Sequence, residues 1–473
     1  MMYSMAWIIV GIISSLEFVH CSTDSSGPLF LTPLIARKKC DYARSISKVK
    51  LFEDEVNATA HSGFITVNET MGSHLFFLYV RAQEHTSTTP LMLWTQGGPG
   101  LSSMFGQFLE IGPLAIDDNG RLRKRLRTIQ NSVSVIFLDV PVGAGYSFTK
   151  NAKGYAQSLE DIAVAVAEFL RQFLLLFPEY KERDFYVAGE SYGGRYAVGI
   201  AHHLLTNNAE QVALNLKGTI AGVGFLGPIF QIADSSEFLY DASMLTKTGR
   251  ETFAKQFEAM RSLLALGQVR VALYLLLRTI FTDDTNPTLF QNLTLFNNQA
   301  SALYSEKPAN MIEYSRYVNT TGFREVIHVG PDVEFEPHSD ILTASLALDT
   351  VADIRDQIEL LLNTSKVLFY TGQVDTLFPS PNLRAYFRTL RWTGASEYRK
   401  ASRSTWTMNY DSNSISGYVV QVRSLTDVTI LGAGHYAAVD KPDEVYDLMS
   451  NFIYSGNPLR TKLTQETERH LLR

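Results

Sequence analysis

The sequence predicts an α/β fold with a mainly helical insertion, and three observations carry that prediction. Short apolar, β-rich runs leading into glycine-bearing turns recur at 91–95, 133–138, 185–188, 219–222, 367–370 and 428–431; they read as strands buried in one sheet. Helical periodicity fills several of the gaps. It is clearest at 158–177, whose apolar residues cover one face and beyond, as a helix packed on a sheet requires. Alternation of the two patterns implies an α/β architecture. Third, the pattern between 227 and 345 turns helical, as at 251–264 and 269–281, with no clear buried strand before 367. The chain is therefore expected to divide into a first core part at 22–226, a helical cap insertion at 227–345, a second core part at 346–456 and a charged tail at 457–473.

With 473 residues, 45% of them hydrophobic and 19% charged, the chain can bury a large core. A formal net charge of −6 leaves no cationic excess to neutralise a row of phosphates, so no nucleic-acid partner is expected. The apolar run at 5–16 is too short to span a bilayer and is followed by polar residues at 22–26, which reads as a secretory signal peptide over 1–21. Val19 and Cys21 then sit at the −3 and −1 positions of cleavage. No later stretch is expected to span a membrane. Acceptor tripeptides for N-glycosylation at Asn57, Asn68, Asn292, Asn319 and Asn363 fit an extracellular or lysosome-like destination. Cysteine usage points the other way, because cleavage would leave Cys40 unpaired; a large core can take the place of disulfides.

The chemistry is carried first by the segment DFYVAGESYGGRY, in which Gly189-Glu190-Ser191-Tyr192-Gly193 follows an apolar run and precedes a helical one. That is the setting of a nucleophile elbow: small neighbours let strand and helix approach, and the sharp turn lifts the serine hydroxyl out at the carboxyl end of the sheet. The predicted fold is thus an α/β-hydrolase fold with a cap. A serine needs an imidazole to accept its proton and a buried carboxylate to orient that imidazole, in the chain order Ser, Asp, His. Downstream of Ser191 the best acid is Asp375, after the run 367–370, and the best base is His435, after 428–431. Both fall in loops leaving strand carboxyl ends, where ligands gather in open α/β sheets. Among the other histidines, His20, His61, His74 and His85 precede the nucleophile, and His202 and His203 fall on the helix after it. His328 and His338 lack a strand-end setting, and no group of histidines has zinc spacing, so neither metal nor cofactor is expected. The glycines of Trp94-Thr95-Gln96-Gly97-Gly98-Pro99-Gly100 follow an early strand, so the amide of Gly98 is the expected partner of the Tyr192 amide in an oxyanion hole.

Across nearly its whole mature length the chain resembles the serine carboxypeptidases, and within them the vitellogenic-like branch. The family's Trp-x-(Asn/Gln)-Gly-Gly-Pro-Gly-x-Ser-Ser appears at 94–103, its Asp-x-Pro-x-Gly-x-Gly-(Phe/Tyr)-Ser at 139–147, its Gly-Glu-Ser-Tyr-x-Gly at 189–194 and its Gly-x-Gly-His at 432–435. The resemblance implies removal of single residues from peptide or protein C-termini, with Gln96 and Glu190 holding the substrate carboxylate and Glu110 supporting them. Physically, a carboxyl can hydrogen-bond a carboxylate only if one of them is protonated, and crowding acids raises a pKa, so binding should favour mildly acidic pH. Departures from the family pattern bear on substrate preference and rigidity. Gly193 stands where alanine is usual and Leu101 where a cysteine or small residue is. Tyr436, Ala437 and Ala438 replace a Met-Val-Pro-like run, and 222–228 lacks the polar anchors of Gly-Asn-Gly-x-x-Asp-Pro. The family's disulfides have no cysteines here. Two other readings stay open: an esterase or acyltransferase using the same triad, and a secreted binding or storage relative without catalysis. Oligomeric state is not legible.

Overall fold

The computed structural model describes residues 27–207, 212–281, 286–337, 339–408 and 414–454. The expected signal peptide, His338 and the charged tail lie outside the described residues. The strands are β1 (Ala60–Asn68), β2 (Ser73–Val80), β3 (Leu91–Thr95), β4 (Leu114–Ile116), β5 (Leu122–Lys124), β6 (Ser134–Leu138), β7 (Phe148–Thr149), β8 (Asp184–Glu190), β9 (Asn215–Gly222), β10 (Lys366–Gly372), β11 (Ser404–Trp406), β12 (Gly417–Val422) and β13 (Leu425–Ile430). The main sheet runs β1-β2-β6-β3-β8-β9-β10-β13-β12-β11, with β7 paired to β2, while β4 and β5 form a separate hairpin.

The six runs expected as strands are the six central ones, β6, β3, β8, β9, β10 and β13, each parallel to its neighbour. Antiparallel strands flank them on both sides. Parallel strands are covered on both faces and so read as continuous apolar runs. Along β3 the alternation of side chains sends Leu91 and Leu93 to one buried layer and Met92 and Trp94 to the other. The first layer is filled by the helices Leu159–Leu176 and Tyr192–Thr206, and the second by Phe52, Leu448 and Phe452 among others. Leu159–Leu176 begins in a capping box, with Ser158 accepting from the Asp161 amide and the Asp161 side chain returning to the Ser158 amide.

Between β9 and β10 the described chain forms helices, including Lys247–Ala265, Val269–Ile280 and Ala309–Val318. This stretch reaches the loops at the strand ends: the His435 amide donates to Ala300 O at 2.7 Å. The net charge conceals five basic residues at 121–127, Arg121, Arg123, Lys124, Arg125 and Arg127. Several are already engaged within the protein. Arg123 pairs with Asp117 at 2.8 Å, Arg125 donates to the carbonyls of Gly112 and Phe108, and Arg127 lies over the Tyr446 ring.

Candidate active site

The site lies where neighbouring parallel strands end. β3 delivers Gln96, Gly97 and Gly98; β8 delivers Glu190 and Ser191; the loop after β10 carries Asp375, and that after β13 carries His435. Ser191 sits at φ 57°, ψ −122°, a strained conformation for a residue with a side chain. Its amide donates to Gly222 O at 2.9 Å, and its carbonyl accepts from Phe225 N at 2.9 Å and Gly194 N at 3.0 Å. The turn is this tight because its neighbours are glycine. A β-carbon on Gly189 would fall 2.2 Å from Gly193 O, and one on Gly193 would fall 2.3 Å from Thr95 O.

His435 Nε2 lies 2.9 Å from Ser191 Oγ, and His435 Nδ1 lies 2.9 Å from Asp375 Oδ2. The other oxygen of Asp375 accepts from Leu377 N at 2.8 Å and Phe378 N at 3.0 Å, so a buried carboxylate is held at both ends. The His435 ring makes edge-on contacts with two aromatic rings, Phe378 at 5.2 Å and Tyr436 at 5.6 Å between centroids. Three residues brought together from three strand ends thus form a continuous hydrogen-bonded chain. The Tyr192 amide opens the helix after Ser191, where no acceptor lies within the helix. Gly97 is pressed against it: a β-carbon there would lie 2.9 Å from Tyr192 N and 2.8 Å from the Ser191 β-carbon.

Beside the serine lie two buried carboxyls. Glu110 is carried by a π-helical turn, Gly106–Glu110, of the kind that recurs at functional sites. Gln96 Nε2 donates to Glu190 Oε2 at 3.2 Å and Glu110 Oε1 at 3.4 Å, and Trp94 Nε1 fixes the Gln96 amide by donating to its Oε1 at 3.0 Å. Glu110 Oε2 and Glu190 Oε1 accept from no other described N–H or O–H. A hydrogen bond between the two carboxyls therefore requires a proton on one of them. Burial, and after it the charge of Glu110, pushes Glu190 well above the ordinary carboxyl range. Glu110 is raised by burial too, but its hydrogen bonds and the positive charge of Arg125 oppose the rise. The pair as a whole therefore retains a proton above the ordinary carboxyl range.

Sequence reasoning assigned no role to Asp139, although it opens one of the motifs. Its carboxylate accepts from Ser102 Oγ at 2.7 Å, Ser103 N at 2.8 Å and Tyr146 N at 2.9 Å, stapling the glycine-rich loop after β3 to the loop after β6. Three of the histidines set aside as structural have hydroxyl partners: His61 meets Ser47 Oγ at 3.0 Å, His74 meets Thr66 Oγ1 at 3.0 Å and His328 meets Ser62 Oγ at 2.9 Å. The five glycosylation candidates, Asn57, Asn68, Asn292, Asn319 and Asn363, are all exposed.

A mixed sheet of this order, with a strained strand-to-helix serine in reach of a strand-end histidine, defines an α/β-hydrolase. The sequence matches the serine carboxypeptidase family, peptidase family S10, over residues 51–455, and the chain belongs to that family. It is a serine-type carboxypeptidase, a hydrolase. Among curated relatives, the probable serine carboxypeptidase CPVL of Homo sapiens is 36% identical over 434 residues, taking in 91% of this chain and 90% of the relative. The venom serine carboxypeptidase of Apis mellifera is 35% identical, over 91% and 92% of the two chains. The vitellogenic carboxypeptidase of Aedes aegypti is 30% identical, over 92% and 91%. Among solved structures, the prohormone-processing carboxypeptidase Kex1Δp of Saccharomyces cerevisiae aligns with a TM-score of 0.71 at 20% identity, spanning 86% of this chain and 96% of that one. In the described residues no helix is long and apolar enough to cross a membrane.

Proposed function

We propose that this carboxypeptidase removes single residues from peptide C-termini through an acyl-enzyme, and works best at mildly acidic pH. The observation that carries the reading is the buried Glu190–Glu110 pair, bridged by Gln96 and adjoining Ser191. In this mechanism Ser191 Oγ attacks the last peptide carbonyl while His435 Nε2 takes its proton, and Asp375 keeps the imidazole in the tautomer that can accept it. The amides of Gly98 and Tyr192 receive the developing oxyanion. His435 returns the proton to the leaving amine as the C–N bond breaks; water, activated by the same imidazole, then cleaves the acyl ester and restores Ser191. On binding, the proton of Glu190 and one N–H of Gln96 turn from the neighbouring carboxyls to the carboxylate of the departing residue, while the other Gln96 N–H stays on Glu110. The residues at 227–345 act as a cap over these strand ends, a role supported by the bond from His435 N to Ala300 O. Export and glycosylation at the five exposed asparagines belong to the same reading, as does an extracellular or lysosome-like destination.

The test is hydrolysis of N-blocked dipeptides with free or amidated C-termini near pH 5 and pH 7.5, using the wild type and Ser191→Ala. Activity lost in the variant and confined to free carboxylates at acid pH supports the proposal. Equal turnover of amides and esters points to a general hydrolase, and no turnover by the wild type to a non-catalytic relative.

A further inference from the structure

Tyr192 contributes its amide to the proposed oxyanion hole, and its side chain is held independently of it. The phenol donates to Asp349 Oδ2 at 2.9 Å and lies 3.1 Å from Thr350 Oγ1. One turn further along the same helix, Arg195 Nε donates to that same Asp349 oxygen at 2.9 Å. Arg195 Nη2 reaches the carbonyls of Asp349, at 2.5 Å, and Ala352, at 3.0 Å. The second Asp349 oxygen accepts at 3.0 Å from the amide of Leu159, the first residue of the helix Leu159–Leu176. Solvent is excluded: the two side chains are 0% and 6% exposed.

This arrangement is costly as a mere staple. Burying an ion pair loses hydration that apolar packing would not, and Tyr192 could fill its space as phenylalanine. What the cluster holds is the peptide stretch from Ser191 to Arg195. The Arg195 guanidinium lies 5.1 Å above the Phe225 ring, that ring packs edge-on against Tyr192 at 5.1 Å, and Phe225 N donates to Ser191 O at 2.9 Å. Asp349 belongs to the short helix Ala347–Val351, which follows the long helical stretch after β9. The side chain is therefore supplied from outside the elbow, 157 residues from Tyr192.

We propose that Asp349 and Arg195 are positioning residues for the oxyanion hole: through the Tyr192 phenol they hold the Tyr192 amide in its productive orientation, so that alignment of the hole depends on docking of the 347–352 segment. This rests on the acyl-enzyme reading above. Neither residue touches the reacting atoms.

The decisive variant is Tyr192→Phe, which removes one hydroxyl and leaves the Arg195–Asp349 pair in place. Pre-steady-state bursts with a chromogenic depsipeptide, whose leaving hydroxy acid keeps the free carboxylate, count only functional sites, so partial misfolding lowers the amplitude and not the acylation rate constant. Loss of a whole oxyanion donor costs on the order of 100- to 1,000-fold in kcat, and a misaligned one is expected to cost about 10-fold in acylation. A peptide aldehyde, whose hemiacetal oxygen occupies the same hole, should weaken in parallel while KM for the substrate stays within about 2-fold. Asp349→Asn, which keeps an acceptor for the phenol and loses the charge, should change both constants in the same direction. Wild-type acylation and aldehyde affinity in Tyr192→Phe would overturn the role, as would loss of amplitude alone, which marks a structural staple. A wild type that is neither acylated by the ester nor trapped at Ser191 by the aldehyde would overturn the acyl-enzyme reading itself, and this role with it.

Discussion

Replacing Glu190 by glutamine probes the carboxylate site directly. In the protein the Glu190 carboxyl receives the Gln96 amide at 3.2 Å on one oxygen, and its other oxygen has no partner besides the neighbouring carboxyl. Burial raises its pKa, so the protonated form persists above the ordinary carboxyl range and is lost as pH rises through the raised value. On the proposed reading a substrate carboxylate is bound by that proton, and affinity should then fall over the same interval. Glutamine keeps an acceptor for Gln96 and carries N–H donors at every pH. A hydrogen bond to a charged group contributes about 1.5–3 kcal/mol. At about 1.4 kcal/mol per tenfold, that is roughly 10- to 150-fold in kcat/KM. Wild type should prefer free over amidated C-termini by a factor in that range near pH 5, with the preference shrinking toward pH 8. Glu190→Gln should hold a preference that changes by less than about 3-fold across the same pH span. Steady-state kinetics on the paired substrates from pH 4.5 to 8 decides it. If the variant retains the wild-type decline, the titrating group lies elsewhere; if free and amidated substrates lose equally, Glu190 does not recognise the carboxylate.

Three further expectations follow from the same geometry. Gly193→Ala introduces the residue usual in the family, yet its β-carbon would fall 2.3 Å from Thr95 O on β3, so helix and strand must separate. Overpacking of this kind costs about 1–3 kcal/mol, to be read as a lowered Tm together with a reduced acylation rate. Stability should peak at intermediate pH. Asp139, raised by burial to about 7, and the raised Glu190 and Glu110 favour the fold below their ordinary pKa values and lose that contribution as pH rises. Buried His61 and His74 and half-buried His328, lowered to about 4, contribute above the ordinary histidine value and lose it as pH falls. Denaturant midpoints should accordingly be higher near pH 5.5 than near pH 3.5 or pH 8; a monotonic trend would show that one set dominates. Glycopeptide mass spectrometry of material from a eukaryotic secretory host should find Asn57 and Asn292 modified more fully than Asn363, whose side chain is engaged by Glu359 O and Thr393 N.

The central strands were legible because burial on both faces leaves an unbroken apolar run, as in 91–95 and 367–370. β2 is as deeply buried, but its neighbours are antiparallel and no glycine-rich turn of the kind that marked the others follows it, so its apolar run went unassigned. β11 and β12 are edge-side and mix half-buried with buried positions, which weakens the signal further. At the site, Ser191, Asp375 and His435 were readable because each sits directly behind a strand, where local sequence announces a loop at the sheet's end. The Arg195–Asp349 pair was not. Its members are 154 residues apart, one on an ordinary helix turn and the other in a short helix, and only the packing of the chain between them brings them together.

The departures from the family pattern cluster around the triad, and the structure indicates how it tolerates them. Where 222–228 lacks polar anchors, Phe225 takes up the space, stacked on Phe378 at 5.8 Å and edge-on to Tyr192 at 5.1 Å. Where a Met-Val-Pro-like run is absent, Tyr436 lies against Phe105 at 5.2 Å and edge-on to His435. Aromatic pairs of this geometry each add about 0.5–1.5 kcal/mol beyond the area they bury, and they are rigid, having few rotatable bonds to order. Rings at 225 and 436 therefore stiffen the packing next to the imidazole, against which Phe378 and Tyr436 both lie edge-on. A protein released from catalytic constraint would have no reason to keep a serine at φ 57°. Such a residue is strained unless its surroundings hold it, and here those surroundings also keep Nε2 of the imidazole 2.9 Å from the hydroxyl. Strain retained beside altered packing is an argument for a site that has been refilled and still works, and against one that has decayed.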